Sequence, residues 1–339
     1  MITMAIALPG VGELTGLGTA LCWVGTSFCF AAASRRLGAG TVNLTRSLLA
    51  LGPLLLLNLL LLGTPWPEAS PETLMWLAAS GVVGLAIGDQ FLFAALVDIG
   101  PRLSVLLMTL APVFAAALGF AMLGETLGLL EGLGIAVTLG GIAWVVAERP
   151  RPGDAEAHRH SPGIRARGIV FGVLGAAAQG IGVVLAKQGM IGGSAEVDPL
   201  AAQLVRMCAG AGSLALAWTI LGRRRWLVGS RETASRARLD RIAVTGLVIG
   251  TLIGPVLGVW MSLVSVRHLD AGVASTLMAM SPVLVLPFSV WVDHERIGWR
   301  AALGAAIAVA GVAILAFGGE SVAPETIEDS SAVEASNGF

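Results

Sequence analysis

Charged residues are scarce in this chain. Only 13% of its 339 residues are charged, the net charge is −1, and Lys187 is the single lysine. That balance argues against nucleic-acid binding, which needs a basic surface to meet the phosphate backbone. A soluble domain is excluded as well, because 55% of the residues are hydrophobic and too little polar surface remains to cover a fold of this size.

Cysteine and the common catalytic motifs are also lacking. Cys22, Cys29 and Cys208 lie in apolar stretches and form no CxxC pair, so the sequence predicts neither a disulfide framework nor a zinc site. No HExxH, GxSxG or GxxxxGK[ST] motif occurs in the sequence, which argues against a zinc protease, an α/β-hydrolase and a nucleotide-driven pump. We therefore expect no metal, no cofactor and no enzymatic activity.

The chain is rich in apolar stretches of membrane length. A helix needs about 20 apolar residues to cross the ~30 Å hydrocarbon core of a bilayer. Ten stretches meet that length, at 11–33, 43–63, 73–97, 101–123, 128–147, 168–190, 199–221, 242–266, 272–292 and 299–318. The 45 glycines suit a membrane bundle, because small residues allow close helix contacts. The sequence predicts an all-α integral membrane protein with ten transmembrane helices.

The sequence repeats itself with a shift of 170 residues. Ala111-Pro112-Val113 matches Ser281-Pro282-Val283. A glutamate and two glycines follow each motif at matching positions, namely Glu125, Gly134 and Gly141 in the first copy and Glu295, Gly304 and Gly311 in the second. Because each copy holds five predicted helices, an odd number, the second copy must enter the membrane from the opposite side. Inverted repeats of this kind are typical of secondary transporters.

The repeat divides the chain into four segments. Residues 11–147 form the first five-helix repeat and 168–318 form the second. Between them, 148–167 is a polar linker, and 319–339 is an acidic tail whose composition predicts disorder. The first apolar stretch has no basic residue before Arg35, so we predict a transmembrane helix there rather than a cleaved signal peptide.

These motifs resemble those of the drug/metabolite transporter superfamily, specifically its EamA-type transporters with two five-helix repeats. The residues that carry the resemblance most specifically are Pro112, Gly124-Glu125, Gly134, Gly141 and Arg46. The second copy departs from the pattern at Asp293-His294-Glu295, where a Gly-Glu pair is usual. The resemblance implies a ten-helix bundle with a central substrate cavity that opens alternately to the two sides of the membrane.

Asp89 is the most informative single residue, because it lies inside the third apolar stretch. A carboxylate there is costly unless it faces the bundle interior and has a partner or a proton. In one interpretation Asp89 carries a proton or binds a cation. In the other it is a protonated side chain that only hydrogen-bonds a neighbouring helix. Its counterpart in the second repeat is Val259, so the second copy has no carboxylate there.

Arg46 and Arg206 form a second matched pair, each a few residues into its predicted helix. One interpretation is that both side chains extend to the membrane interface, as long basic side chains often do. The alternative is an ion pair with a gate carboxylate or with an anionic substrate. Because the repeats are inverted, we expect the two arginines near opposite faces of the membrane, which suits two gates better than one substrate clamp.

Pro112 and Pro282 occupy matching positions in the predicted fourth and ninth helices. Proline lacks an N–H and frees the carbonyl four residues earlier, which here belongs to Met108 or Met278. Such breaks either line a substrate path or only improve packing. The candidate cavity residues are these two methionines together with Asp89, Gln90, Phe93, Gln179 and Trp260.

The sequence predicts a secondary active transporter that exports a small metabolite, such as an amino acid or a related compound, by alternating access, driven by a proton gradient or by substrate exchange. The alternatives are a membrane-embedded enzyme and a non-transporting sensor or assembly subunit. The expected partners are the substrate, protons and the lipid bilayer of a bacterial inner membrane, and the expected state is a monomer or homodimer. Arginines in the odd-numbered connections predict both termini outside, whereas the family resemblance favours termini inside.

Overall fold

The structure of the chain, a computed structural model, describes residues 10–123, 128–147, 162–191, 196–225, 241–268, 277–292 and 298–318. In these ranges every regular element is a helix and no strand occurs, which confirms the predicted all-α class. Several predicted features lie outside the described residues, namely Gly124-Glu125, Asp293-His294-Glu295, residues 148–161 of the linker and the tail 319–339.

The first half contains two long helices followed by helical segments that change their winding. Its helices are α1 Val11–Leu37, α2 Ala39–Leu57, α3 Pro71–Ser80, α4 Asp89–Leu107, α5 Ala111–Leu123 and α6 Leu129–Ala147. Wide π-type turns extend α2 through Asn58–Leu62 and join α3 to α4 through Gly81–Gly88. Ser70 begins α3 as its N-cap, because its side chain accepts a hydrogen bond from the Thr73 N–H. A tight 3-10 turn, Met108–Leu110, leads into α5.

A single glycine separates two membrane-length segments in the first half. The apolar helical run Pro71–Leu118 is 48 residues long, more than twice what one membrane crossing needs. Within it Gly100 has φ 77° and ψ 172°, and Pro101 follows directly. A residue with a Cβ rarely adopts that positive φ, so glycine is needed for the chain to bend there. The bend falls between the predicted spans 73–97 and 101–123.

The second half repeats this order of elements. Its helices are α7 Pro162–Ile191, α8 Pro199–Arg225, α9 Arg241–Thr251, α10 Val259–His268, α11 Ser281–Val292 and α12 Trp299–Gly318. The π-type turns Leu252–Gly258 join α9 to α10 as the corresponding turns join α3 to α4. Within the described ranges, six helical stretches are long and apolar enough to cross a membrane, and Gly132–Val145 and Trp299–Ile314 are shorter apolar helices. Ten crossings therefore stay a prediction.

The two halves meet symmetrically where α6 packs against α12. The Thr138 hydroxyl donates to the Ala308 carbonyl at 3.4 Å, and these residues are 170 apart, so a residue contacts its own counterpart. A local two-fold axis produces such a contact. Repeated glycines bring the backbones together there, since a Cβ on Gly141 would lie 2.8 Å from the Gly304 carbonyl oxygen and a Cβ on Gly304 would lie 3.1 Å from the Gly141 oxygen.

Each half also packs its first helix into the other half. Helix α1 packs against α9 and α10, while α7 packs along α3, α4 and α5. Glycines permit the close approach: a Cβ on Gly182 would lie 2.8 Å from the Gly84 Cα, and a Cβ on Gly250 would lie 2.8 Å from the Phe30 ring. The exchange of helices brings side chains from both halves to the middle of the bundle.

Candidate functional site

Each half uses an amide side chain to bind the π-type turns of its third helical segment. Asn43 of α2 donates from Nδ2 to the Ala86 carbonyl at 3.0 Å, and Gln203 of α8 donates from Nε2 to the Pro255 carbonyl at 3.1 Å. Wide turns disturb the regular helical bonding pattern, and a carbonyl that loses its helical donor inside a membrane needs another one. In both halves an arginine follows three residues after the amide.

Arg46 is held on several sides in the first half. Its Nε and Nη2 donate to Asn43 Oδ1 at 3.2 and 3.1 Å, and Nη2 also donates to the Asp89 carboxylate. The guanidinium carbon lies 4.8 Å from the centroid of the Phe93 ring and 5.6 Å from that of Phe30, distances at which ring faces attract a cation. Only 4% of Arg46 is exposed, so these groups take the place of water.

The Asp89 carboxylate connects the two halves of the protein. One oxygen accepts from Arg46 of the first half, and the other accepts from Gln179 Nε2 of α7 at 2.7 Å. Gln179 Nε2 also donates to the Gly84 carbonyl at 3.3 Å. Asp89 follows the π-type turns directly and lies eleven residues before Gly100, which is roughly 16 Å of helix. Asp89 thus lies deep inside a continuous helical run of membrane length. Ionisable side chains at such a depth mark functional sites in membrane proteins.

Arg206 reaches the same centre from the second half and, within the described ranges, forms no ion pair with a carboxylate of that half. It is 3% exposed. Its Nη1 donates to Gln203 Oε1 at a long 3.4 Å, and its Nε has no hydrogen-bond partner in the described part of the chain. A Cβ on Gly84 would lie 3.7 Å from its Nη2, and its charge acts on Asp89. Of the two guanidinium groups at this centre, that of Arg46 is the one bonded to the carboxylate among the described residues.

The two arginines do not lie near opposite faces of the membrane, contrary to the prediction from the inverted repeat. Arg46 is seven residues into α2 and Arg206 is seven residues into α8, so each Cα lies roughly 10 Å along its helix. Half of the hydrocarbon core is only about 15 Å thick, and each side chain extends further still. Arginines that enter from opposite sides therefore meet near the middle. Because both are buried, extension to the membrane interface does not describe them.

Several of the predicted cavity residues lie around this centre, whereas Trp260 and Met108 pack against apolar clusters. Phe93 is buried beneath a guanidinium, and Gln179 binds the carboxylate. Gln90 Oε1 accepts from Asn43 at 3.5 Å, while its Nε2 has no partner among the described residues. Trp260 packs against an apolar cluster that includes residues of α2 and α8. Its contacts in the described part of the chain are therefore apolar and do not include the polar centre.

Each predicted helix-breaking proline is the second residue of a new helix rather than an interior residue of an old one. Pro112 follows the first residue of α5, and Pro282 follows the first residue of α11. The carbonyls predicted to be free are bonded: that of Met108 accepts from the first N–H of α5, and that of Met278 accepts from the hydroxyl of the first residue of α11 at 2.8 Å. Proline is tolerated in a first turn, because the N–H it lacks would have no intrahelical acceptor there.

A second ion pair, which sequence reasoning missed, lies at the beginning of α7. Asp98 accepts two hydrogen bonds from Arg167, from Nε and from Nη2, each at 2.8 Å. Asp98 is 3% exposed, whereas 45% of the Arg167 side chain is exposed, so this pair lies at the edge of the bundle. The available signal was an aspartate two residues before Gly100, at the end of an apolar stretch where a carboxylate needs a partner.

Comparison with known families shows what kind of protein carries this centre. The model of the EamA-like transporter family matches residues 10–147 and 166–317, which is most of the chain. The chain belongs to the EamA-like transporter family. A solved structure described only as "Crystal structure of protein" has a similar fold, with a TM-score of 0.60 over 91% of this chain and 98% of its own, at 17% identity. No curated protein matches the chain.

Membership of the EamA-like family confirms the predicted resemblance and the predicted class. The chain is a multi-pass membrane protein and a membrane transporter, with a small-molecule substrate and the lipid bilayer as its surroundings. Members of the family are transporters and not enzymes. The enzyme and sensor alternatives are therefore not favoured.

Proposed function

We propose that this EamA-like protein is a secondary active transporter that moves a small metabolite, such as an amino acid or a related compound, out of a bacterial cell. In this proposal ten transmembrane helices form two inverted five-helix repeats, 11–147 and 168–318, in the cell membrane, and the protein acts as a monomer or a homodimer. One observation carries the proposal: Asp89 is bound by Arg46 of its own half and by Gln179 of the other half.

Alternating access needs a contact between the halves that differs between the two openings. Movement of α7 along the helices of the first half against which it packs would change the 2.7 Å bond between Gln179 and Asp89, whereas Arg46 and Asp89 belong to the same half and would stay together. Where Gly182 of α7 approaches Gly84 of the π-type turns, neither residue has a side chain to block such a movement, although the bond from the Ser80 hydroxyl to the Gly182 carbonyl at 2.5 Å would have to break. In this proposal the hydrogen bonding of the Asp89 carboxylate therefore changes with the position of α7.

Proton coupling is the second part of the proposal and is assigned to Asp89. The charged groups that face Asp89 are Arg46 from α2 and Arg206 from α8, while Gln179 faces it from α7 without a charge. Protonation would remove the charge that holds the Arg46 guanidinium and would turn one carboxylate oxygen into a donor. Arg46 and Gln179 both donate to this carboxylate, so uptake of a proton would release at least one of them and loosen the contact between the halves.

The test is transport by the purified protein in liposomes under an imposed pH gradient. Metabolites that cells release only when they contain the protein serve as the candidate substrates. We expect the gradient to drive transport by the wild type and by Asp98→Asn, whose carboxylate lies at the edge of the bundle, and not by Asp89→Asn. Unchanged gradient-driven transport by Asp89→Asn would defeat the proton role. A lack of flux for every released metabolite would defeat the transporter proposal.

A further inference from the structure

The buried centre carries one more positive charge than its own carboxylate neutralises. Arg46 and Arg206 are both buried, and among the described residues the carboxylate at this centre is Asp89, which is bonded to Arg46. An ion removed from water without a partner is strongly unfavourable. Arg46 is bonded to Asp89 and Asn43 and lies over two aromatic rings. The unneutralised charge therefore belongs to Arg206.

Arg206 has free hydrogen-bonding capacity of the kind that a carboxylate uses. Its Nε has no partner in the described residues, and its one bond to Gln203 is long, at 3.4 Å. The N–H groups of a guanidinium match the two oxygens of a carboxylate in parallel bonds. The lack of a side chain on Gly84 leaves room for one carbon atom beside Arg206, since a Cβ there would be in ordinary contact with Nη2 at 3.7 Å and with Gln179 Oε1 at 3.8 Å. An anion at Arg206 would therefore also lie beside a residue of α7.

The sequence repeat identifies the group that the second half lacks. Arg46 and Arg206 are counterparts, and the position equivalent to Asp89 is Val259. The first half provides a carboxylate, Asp89, for its arginine. Among the described residues, the second half provides none for Arg206. We infer that Arg206 binds the carboxylate group of the transported substrate. This inference rests on the proposed transport function and names the substrate class of the same site.

The net charge of the centre also limits which carboxylates fit. A substrate with a net charge of −1 neutralises the excess charge on Arg206, whereas a zwitterion brings an ammonium group that restores it. Organic carboxylates with a net charge of −1 are therefore favoured over zwitterionic amino acids, which narrows the class of metabolite named in the proposed function.

The experiment measures binding to the full-length protein in lipid nanodiscs, without any flux. The probes are propionate and benzoate, each compared with its uncharged amide, propionamide or benzamide, and with chloride. We expect the two carboxylates to raise the melting temperature and the amides and chloride to leave it unchanged. Arg206→Gln should weaken carboxylate binding at least tenfold and Arg206→Lys should weaken it less. Arg267→Gln, at an exposed arginine that pairs with Glu196 and Asp198, should have no effect.

Three results would overturn the inference. The first is the absence of a shift with both carboxylates, the second is an equal shift with chloride, and the third is unchanged carboxylate binding by Arg206→Gln. If that variant does not fold, an unchanged affinity in Arg206→Lys has the same meaning. Binding and transport are measured in separate experiments, so the two proposals can fail separately. Carboxylate binding by a protein that transports nothing would defeat the transporter proposal and would not affect this inference.

Discussion

In the first half of the molecule Arg46 bonds to Asp89, whereas in the second half Arg206 occupies the matching place and Val259 stands where the carboxylate would be. Up to that point the halves are alike. In each of them an amide binds a carbonyl of the π-type turns and is followed after three residues by a buried arginine. Two complete pairs would leave no charge for a ligand to meet, so the incomplete copy provides the asymmetry that a substrate site needs.

Asp89→Asn should cause the largest loss of stability, because it removes the carboxylate by which the first half differs from the second. Both arginines would then be buried without a carboxylate, and we expect a loss of about 3–5 kcal/mol in the free energy of unfolding. Denaturant unfolding in mixed micelles measures it. Asp98→Asn is the matched control and should cost less, because its partner Arg167 is half exposed. Equal losses in the two variants would contradict the special position of Asp89.

A smaller effect is expected where the halves differ in the packing of the segment before the carboxylate. A Cβ on Gly81 would collide with the Arg206 backbone carbonyl oxygen, so Gly81→Ala should cost about 1–3 kcal/mol of stability through overpacking. The equivalent residue is Thr251, whose hydroxyl bonds to the Leu247 carbonyl at 2.6 Å. Thr251→Ala loses that bond and a buried methyl group but gains the higher helix propensity of alanine, so the net loss should be about 1 kcal/mol. Thermal unfolding of the two variants should place Gly81→Ala lower, and the reverse order would refute the close packing.

The smallest effect should separate the two amides. Asn43→Ala removes the donor to the Ala86 carbonyl and the acceptor of two Arg46 hydrogen bonds, so we expect a loss of about 2 kcal/mol. Gln203→Ala removes one bond to a carbonyl and one long bond to an arginine, and about 1 kcal/mol should be lost. Denaturant unfolding of both variants tests this order. A larger loss from Gln203→Ala would mean that the second half is the better bonded one.

The sequence predicted the elements well because membrane helices follow from length and apolarity alone. Gly100 and its bend fall between two predicted spans, and the matched glycines of α6 and α12 do meet. The prolines were less well predicted: Pro112 and Pro282 indicated breaks, but the turns that form the breaks precede them. A missing N–H indicates where a helix can change, and it does not indicate on which side of the proline the turn lies.

The candidate site was predicted in part. The sequence shows which ionisable side chains are unfavourable inside a membrane, but it does not show which of them contact each other. Asp89 was evident as a carboxylate in an apolar stretch, while its partners depend on how far a side chain reaches. Arg46 and Arg206 meet because seven helical residues and the length of an arginine side chain together reach the middle of the bilayer. The matched positions in the sequence indicate the helix ends but not this reach. Trp260, a predicted cavity residue, packs with apolar residues instead.

The exchange of first helices between the halves has a consequence for how the protein is made. Helix α1 ends at Leu37, and the helices against which it packs, α9 and α10, end at His268. Ribosomes add about 5–20 residues per second, so α1 waits roughly 10–50 s in the membrane before its neighbours have been synthesised. During that interval the face of α1 that later meets α9 and α10 is covered only by lipid or by the insertion machinery, while its contacts with α2 and α4 can already form. Helices of the second half thus complete the packing of the first helix to be made.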